Sequence, residues 1–184
     1  MALILSVPLP LVAGPAILII WVRDRHRAPP HPISARRAKI GLGFGLALAF
    51  ISAVGVLWWA TTKTMFAVPL FPDFLTSSTP LALLTIVIAS IINAVWKEAL
   101  WRGALLARLR GAYGATGAVL ISSVGFAAVH FYAIPDGWAG VALTGLFAVG
   151  AATLSLYLRG RIWAGVGAHI VADFVLLGYL LRLW

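Results

Sequence analysis

Residues 96–103 read Trp-Lys-Glu-Ala-Leu-Trp-Arg-Gly, and they place three formally charged side chains, Lys97, Glu98 and Arg102, in an otherwise apolar span. On insertion scales, a charged side chain at the centre of a membrane helix costs roughly 2.5–3.5 kcal/mol. We therefore expect these groups to face protein, water or one another. Glu98 and Arg102 have the spacing and order of a favourable helical ion pair. Lys97 points about 100° away from Glu98 and needs a partner of its own.

The composition of the whole chain places this stretch in a membrane. Of the 184 residues, 62% are hydrophobic and only 10% are charged, which is too little polar surface for a soluble globule of this size. We predict an all-α, polytopic membrane helix bundle that forms a single membrane domain over residues 1–184. The net charge of +9 does not indicate nucleic-acid binding, because the basic residues form short clusters between apolar spans. Without cysteine, the chain has no disulfide and no thiol nucleophile.

About six transmembrane helices are predicted, with the N-terminus outside. Their approximate bounds are residues 2–22, 40–60, 80–108 or 80–110, 115–134, 138–158 and 162–181. The loop 61–79 is apolar enough to lie on the outer membrane surface. Cytoplasmic connections then carry ten of the fourteen Lys and Arg residues: Arg23, Arg25, Arg27, Arg36, Arg37, Lys39, Arg108, Arg110, Arg159 and Arg161. This excess sets the predicted orientation.

Two later spans carry further polar side chains, His130, His169 and Asp173. His130 ends the motif Phe-Ala-Ala-Val-His that begins at Phe126, and His169 and Asp173 share a helix face because they are four residues apart. At 1.5 Å per residue, Glu98 and these three residues fall in one slab about 10 Å thick. Three helices can therefore bring two carboxylates and two imidazoles around one cavity, in the cytoplasmic half to the middle of the bilayer.

Each of these features alone also has a purely structural explanation. A single histidine in a membrane helix is more often a hydrogen bond between helices than a catalyst, and Glu98 with Arg102 can be a packing ion pair. Four-residue spacings also arise often by chance. It is the joint occurrence of these residues, in this order and at matched depth, that favours a functional site.

The three blocks resemble the CPBP family of intramembrane proteases, which includes the type II CAAX prenyl endopeptidases and bacterial bacteriocin-processing and self-immunity proteins. The family pattern is Glu-Glu-x-x-x-Arg, then Phe-x-x-x-His, then His-x-x-x-Asn or Asp, and the corresponding blocks here begin at Lys97, Phe126 and His169. The resemblance covers about residues 80–181. It implies an intramembrane endopeptidase that uses an activated water to hydrolyse a peptide bond of a membrane-associated substrate, including prenylated ones.

The resemblance also implies roles for individual residues. The candidate catalytic residues are Glu98, His130, His169 and Asp173, and the supporting residues are Arg102, Phe126 and Lys97, the last at the position of a missing glutamate. In the family, the first glutamate and the second-block histidine activate the water, and the third block binds the scissile carbonyl or its oxyanion. His130, His169 and Glu98 are candidate zinc (Zn) ligands, but the same groups suffice for a metal-free mechanism, so both remain open.

Lys97 departs from the family pattern, because it occupies the position of the first glutamate. A lysine acts as a base only when neutral, and Glu98 can replace the lost base only if the helix rotates by about 100° or a bulge shifts the register. The alternative is therefore a catalytically dead pseudoprotease that acts as a membrane peptide-binding or immunity-like protein.

A third hypothesis is a small transporter with a proton relay, which the lack of a visible inverted repeat disfavours. For any of the three, the expected location is a bacterial cytoplasmic membrane, with the site facing the cytoplasmic half. The expected partners are the lipid bilayer and a membrane-associated peptide or protein, with no nucleic acid.

Overall fold

The computed structural model of the protein describes residues 32–62 and 77–183, together with residues 16, 19 and 21–23. Most of the predicted first span, much of the basic loop after it and most of the 61–79 loop lie outside the described residues. The described residues form only helices and the connections between them, which confirms the all-α class. The longer helices are α1 (Ala35–Thr62), α2 (Thr79–Glu98), α3 (Leu106–Val129), α4 (Gly137–Tyr157) and α5 (Trp163–Leu180), and the π segment (Ala99–Leu105) joins α2 to α3.

Within the described residues, four helical runs are long and apolar enough to cross a membrane: Ala35–Thr62, Thr79–Val129, Gly137–Tyr157 and Trp163–Leu180. The bundle is therefore a membrane protein by length and composition, as expected. The count of six spans and the orientation of the N-terminus stay predictions.

The longest run, Thr79–Val129, consists of two arms that meet at Gly114. Gly114 has a φ of 70° and a ψ of −177°, a conformation that glycine adopts far more readily than residues with a Cβ. The rings of Trp101 and Phe126 are 5.7 Å apart, although a straight helix would separate these residues by about 37 Å. The chain therefore reverses at Gly114, in the connection predicted between the third and fourth spans.

The first half of α1 closely approaches the end of α4 and the start of α5. A Cβ at Gly45 would lie 3.1 Å from the Ala164 Cβ, and a Cβ at Gly41 would meet the Leu158 side chain. Both glycines are buried, whereas Gly43 is exposed and has open space beside it. Small residues of this kind allow membrane helices to pack closely.

The bundle has two distinct ends. At the basic end, where α1 begins and α4 ends, the Arg37 guanidinium lies 5.2 Å from the centre of the Tyr157 ring. At the far end, where α1 ends and α4 begins, the Trp59 indole donates a hydrogen bond to the Asp136 carbonyl over 3.2 Å. These two ends give a direction against which the depth of the site can be described.

Replacing Gly45 with leucine is expected to destabilise the bundle by about 1–3 kcal/mol, because the added side chain must separate α1 from α5. Gly43→Leu is the matched control, since it adds the same side chain to the exposed side of the same helix. Thermal unfolding of the two purified variants in detergent measures the difference. Equal melting temperatures would contradict this packing.

Candidate active site

Glu98, the last residue of α2, is completely buried. Its Oε1 accepts a hydrogen bond from Arg102 Nη1 at 3.0 Å, and the Nδ1 of His169 lies 3.0 Å from the same oxygen. The ion pair expected from the spacing of Glu98 and Arg102 is therefore present. The contact with His169 adds a link from α2 to α5, so one carboxylate oxygen connects the two helices.

The chain leaves the α-helical register immediately after Glu98. In the π segment, Ala99–Leu105, the amide of the following residue, Leu106, donates to the carbonyl of Trp101, five residues back. Glu98 itself keeps ordinary helical angles, with φ −67° and ψ −36°. To bring Glu98 into the position of Lys97, a bulge would have to lie before Glu98 in the chain. The π segment lies after Glu98, so it does not have this effect. Lys97 and Glu98 therefore keep their helical separation of about 100°.

Aromatic rings enclose the guanidinium of Arg102. Its Cζ lies 4.5 Å from the centre of the Phe126 ring and 5.4 Å from that of Phe147. The Phe126 ring in turn lies 4.9 Å from the ring of His130 and 6.1 Å from that of His169. Phe126 is thus the packing centre between the ion pair and both histidines. Cation–π contacts of this kind are most favourable where water is excluded.

His130 follows the last residue of α3, and its side chain turns back onto that helix. Its Nδ1 lies 2.9 Å from the carbonyl oxygen of Phe126. A carbonyl only accepts, so Nδ1 carries the proton in this hydrogen bond. In the neutral ring, Nε2 is then the nitrogen with the free lone pair.

Asp173 lies one turn after His169 on α5. Its Oδ1 is 3.8 Å from His169 Nε2, and its Oδ2 accepts a hydrogen bond from the amide of Asn93 at 2.8 Å. Asn93 was not among the residues predicted from the sequence. The available signal was a polar amide inside an apolar span, four residues before Lys97, but no sequence pattern pairs it with Asp173.

A cavity of about 310 Å³ brings several of the predicted residues together. The charged or titratable side chains in its wall are those of Lys97, His130, His169 and Asp173. The other lining residues are mostly apolar: Leu48, Ile51, Ser52, Val56, Phe126, Ile134, Pro135, Leu143, Thr144, Leu146, Phe147, Ala172 and Leu176. Glu98 and Arg102 do not line it, so Glu98 reaches the cavity only through His169.

The cavity extends from the middle of the bundle toward its far end. Its lining includes Val56 in the second half of α1, Leu143 near the start of α4, and Leu176 near the end of α5. Ile134 and Pro135, between α3 and α4, also line it. The site was expected to face the cytoplasmic half, where the basic connections were placed. The lining runs away from the basic end and gives that expectation no support.

The candidate zinc ligands His130, His169 and Glu98 are not grouped around one point in this structure, and metal dependence stays open. Among the described residues, no three His, Asp or Glu side chains are grouped to hold one ion. Glu98 lies outside the cavity wall, and its Oε1 is engaged by Arg102 and His169. Lys97 also places an amine in the same wall, and an ammonium there would repel a metal cation.

Arg102→Met is expected to destabilise the protein by about 3–5 kcal/mol, because it leaves the buried Glu98 carboxylate without its cationic partner. Arg110→Met removes a guanidinium from an exposed position and is expected to change stability by less than about 0.5 kcal/mol. Denaturant or thermal unfolding of the purified variants provides the measurement.

A second substitution tests the cause of that loss. Adding Glu98→Gln to Arg102→Met removes the uncompensated charge and is expected to restore part of the lost stability. If the double variant were no more stable than Arg102→Met, charge imbalance would not be the reason.

The comparisons with known proteins cover the part of the chain that holds the site. A family model described as type II CAAX prenyl endopeptidase Rce1-like matches residues 79–175, which include α2, the π segment, α3, α4 and most of α5. No curated protein and no solved structure matches the chain significantly. The family match spans more than half of the 184 residues and confirms the resemblance found in the sequence. The chain belongs to the Rce1-like family of type II CAAX prenyl endopeptidases.

Proposed function

We propose that the protein is an intramembrane endopeptidase that hydrolyses a peptide bond of a membrane-associated substrate. The observation that carries this proposal is that His130 and His169, from two different parts of the fold, line one largely apolar cavity. Both histidines lie inside the region that matches a protease family. A cavity of this kind can hold an apolar substrate while keeping its scissile bond beside groups that move protons.

His130 is the group best placed to activate a water molecule. Its Nδ1–H is fixed by the Phe126 carbonyl, so Nε2 accepts the proton of the water as that water attacks the peptide carbonyl. The resulting imidazolium then donates its proton to the nitrogen of the leaving amine. One product is a carboxylic acid and the other is an amine, and His130 returns to its starting state.

Lys97 and His169 act on the oxyanion that forms during this attack. An ammonium at Lys97 supplies a positive charge in the cavity wall, and such charges lower the barrier when they face developing negative charge. Glu98 is a positioning residue, because it contacts Nδ1 of His169 from outside the cavity wall and so fixes the orientation of that ring. Asn93 likewise fixes Asp173 through its Oδ2. The proposed scheme uses no metal, because among the residues that the structure describes no three His, Asp or Glu side chains are grouped to hold one ion.

The substrate is a peptide anchored in the bilayer, with prenylated C-terminal peptides as the class that the family suggests. We place the protein in a bacterial cytoplasmic membrane with its basic end in the cytoplasm, following the positive-inside rule. The apolar lining toward the far end then receives the lipid-embedded part of the substrate.

A second candidate function is a pseudoprotease that binds a membrane peptide without cleaving it. The specific observation in its favour is that Lys97 lines the cavity where the family has a glutamate, while Glu98 is held outside the wall by Arg102 and His169. No carboxylate then stands beside His130 in the position of the family's base. The cavity keeps its volume and apolar lining in either case.

The proposed protease is expected to cleave a prenylated reporter peptide when reconstituted in liposomes, and His130→Ala is expected to lower the rate by about 10²–10⁴-fold because the base is lost. His26→Ala is the matched control, since this histidine lies outside the region that matches the family. Mass spectrometry of the peptide products gives the rate. An unchanged rate in His130→Ala would reject the site, and inhibition by a chelator that added zinc reverses would reject the metal-free scheme.

Lys97→Glu separates the two candidate functions. If the pseudoprotease is correct, the wild type is inert and Lys97→Glu gains cleavage, because the substitution restores the glutamate of the family pattern. Lys39→Glu, at an exposed lysine of α1, is expected to gain nothing. Robust cleavage by the wild type, in the same liposome assay, would exclude the pseudoprotease.

A further inference from the structure

Lys97 is a cation in an apolar wall, without a close counter-ion. Among the described residues, no Asp or Glu oxygen lies within 4.0 Å of its amine. The contacts of that length at the site join Glu98 to Arg102 and to His169, and His169 to Asp173. Leaving an ammonium unpaired inside a membrane costs roughly 2.5–3.5 kcal/mol. An anion that enters the cavity would therefore be bound preferentially at Lys97.

The two nearby carboxylates are both committed to other partners. Glu98 lies behind His169 and shares one oxygen between Arg102 and that histidine. Asp173 accepts the Asn93 amide through Oδ2, while its Oδ1 faces His169 Nε2. Among the described residues, neither carboxylate contacts the Lys97 amine within 4.0 Å, so the amine remains available to a ligand in the cavity.

We propose that Lys97 forms a binding subsite for a carboxylate at the end of an apolar chain. The rest of the lining explains the apolar part of that ligand: Leu48, Ile51 and Val56 come from α1, and Leu143, Leu146 and Phe147 come from α4. A volume of about 310 Å³ is at the lower end of the range for small-molecule sites. It suits one amino-acid residue with part of an acyl or prenyl chain.

The same subsite would hold the product of cleavage, and to this extent the inference rests on the proposed function. The new carboxylate forms on the carbon that the water attacks, and Lys97 lines the same cavity as His130, the proposed base. A cation there binds the product acid more tightly than the neutral substrate. The family glutamate at this position would instead repel a carboxylate. Lys97 therefore changes the cavity from one that releases an acid to one that retains it.

The test compares an acid with its methyl ester, which has the same apolar chain and no charge. Isothermal titration calorimetry in detergent uses N-acetyl-S-farnesylcysteine and its methyl ester as probes. The wild type is expected to bind the acid at least about tenfold more tightly than the ester, as one charge-assisted hydrogen bond would give. Lys97→Met is expected to abolish this preference, Lys97→Arg to keep most of it, and Lys39→Met to leave it unchanged.

Palmitate and methyl palmitate distinguish the two natural sources of such a carboxylate. If palmitate shows the same Lys97-dependent preference, the subsite accepts free fatty acids; if only the farnesylcysteine acid does, it accepts peptide C-termini. Equal binding of acid and ester by the wild type, or a preference that survives Lys97→Met, would overturn the proposal. If Lys97→Met does not fold, the comparison of acid and ester binding by the wild type alone decides whether the proposal stands.

The binding assay requires no hydrolysis, so its outcome is separable from that of the cleavage assay. A protein that prefers the acid but cleaves nothing would support the subsite and reject the proposed protease. A protein that cleaves but binds acid and ester equally would support the proposed protease and reject the subsite.

Discussion

One oxygen of Glu98 is the interaction on which the rest of the site depends. It accepts the Arg102 guanidinium from the π segment and meets the His169 imidazole from α5, with no exposure of the Glu98 side chain. A Cβ at Gly165 would lie 3.0 Å from the other oxygen of Glu98, so any larger residue at this position of α5 would crowd the carboxylate. Removing Glu98 or Arg102 alone would leave the charge of the other unpaired in a low-dielectric interior, where the cost is large.

The same arrangement gives Lys97 and Glu98, adjacent in the sequence, different surroundings. Glu98 turns toward α5 and is enclosed, whereas Lys97 faces the cavity that His130 and His169 also line. Because the π segment begins after Glu98, it does not exchange these two positions. The family position that holds a carboxylate therefore holds an amine in the cavity wall, which shapes both the proposed chemistry and the proposed carboxylate subsite.

Much of this fold could be predicted from the sequence because membrane insertion restricts the choices. Long apolar runs must be helical, and the spacing of Glu98 and Arg102 allows only a pairing along one helix. The family pattern indicated which side chains to consider, and rise per residue placed them at similar depth. Gly41 and Gly45 also pack closely against neighbouring side chains, as small residues in apolar membrane helices often do.

Other features depend on tertiary contacts that no local pattern specifies. The bond from Asn93 to Asp173 joins residues 80 positions apart, and an isolated Asn has many suitable partners. The π segment departs from regular helical hydrogen bonding, and the packing that allows this departure is not visible in its own sequence. The direction of the cavity depends on how α1, α4 and α5 pack against one another. The depth of residues along single helices does not determine that arrangement.

Cysteine accessibility tests the central claim that Lys97, and not Glu98, faces the cavity. The chain contains no cysteine, so Lys97→Cys and Glu98→Cys each give a single thiol in an otherwise unreactive protein. With a small methanethiosulfonate reagent on folded, monodisperse protein, Lys97→Cys is predicted to be labelled much faster than Glu98→Cys. Labelling of Glu98→Cys at an equal or greater rate would contradict the account.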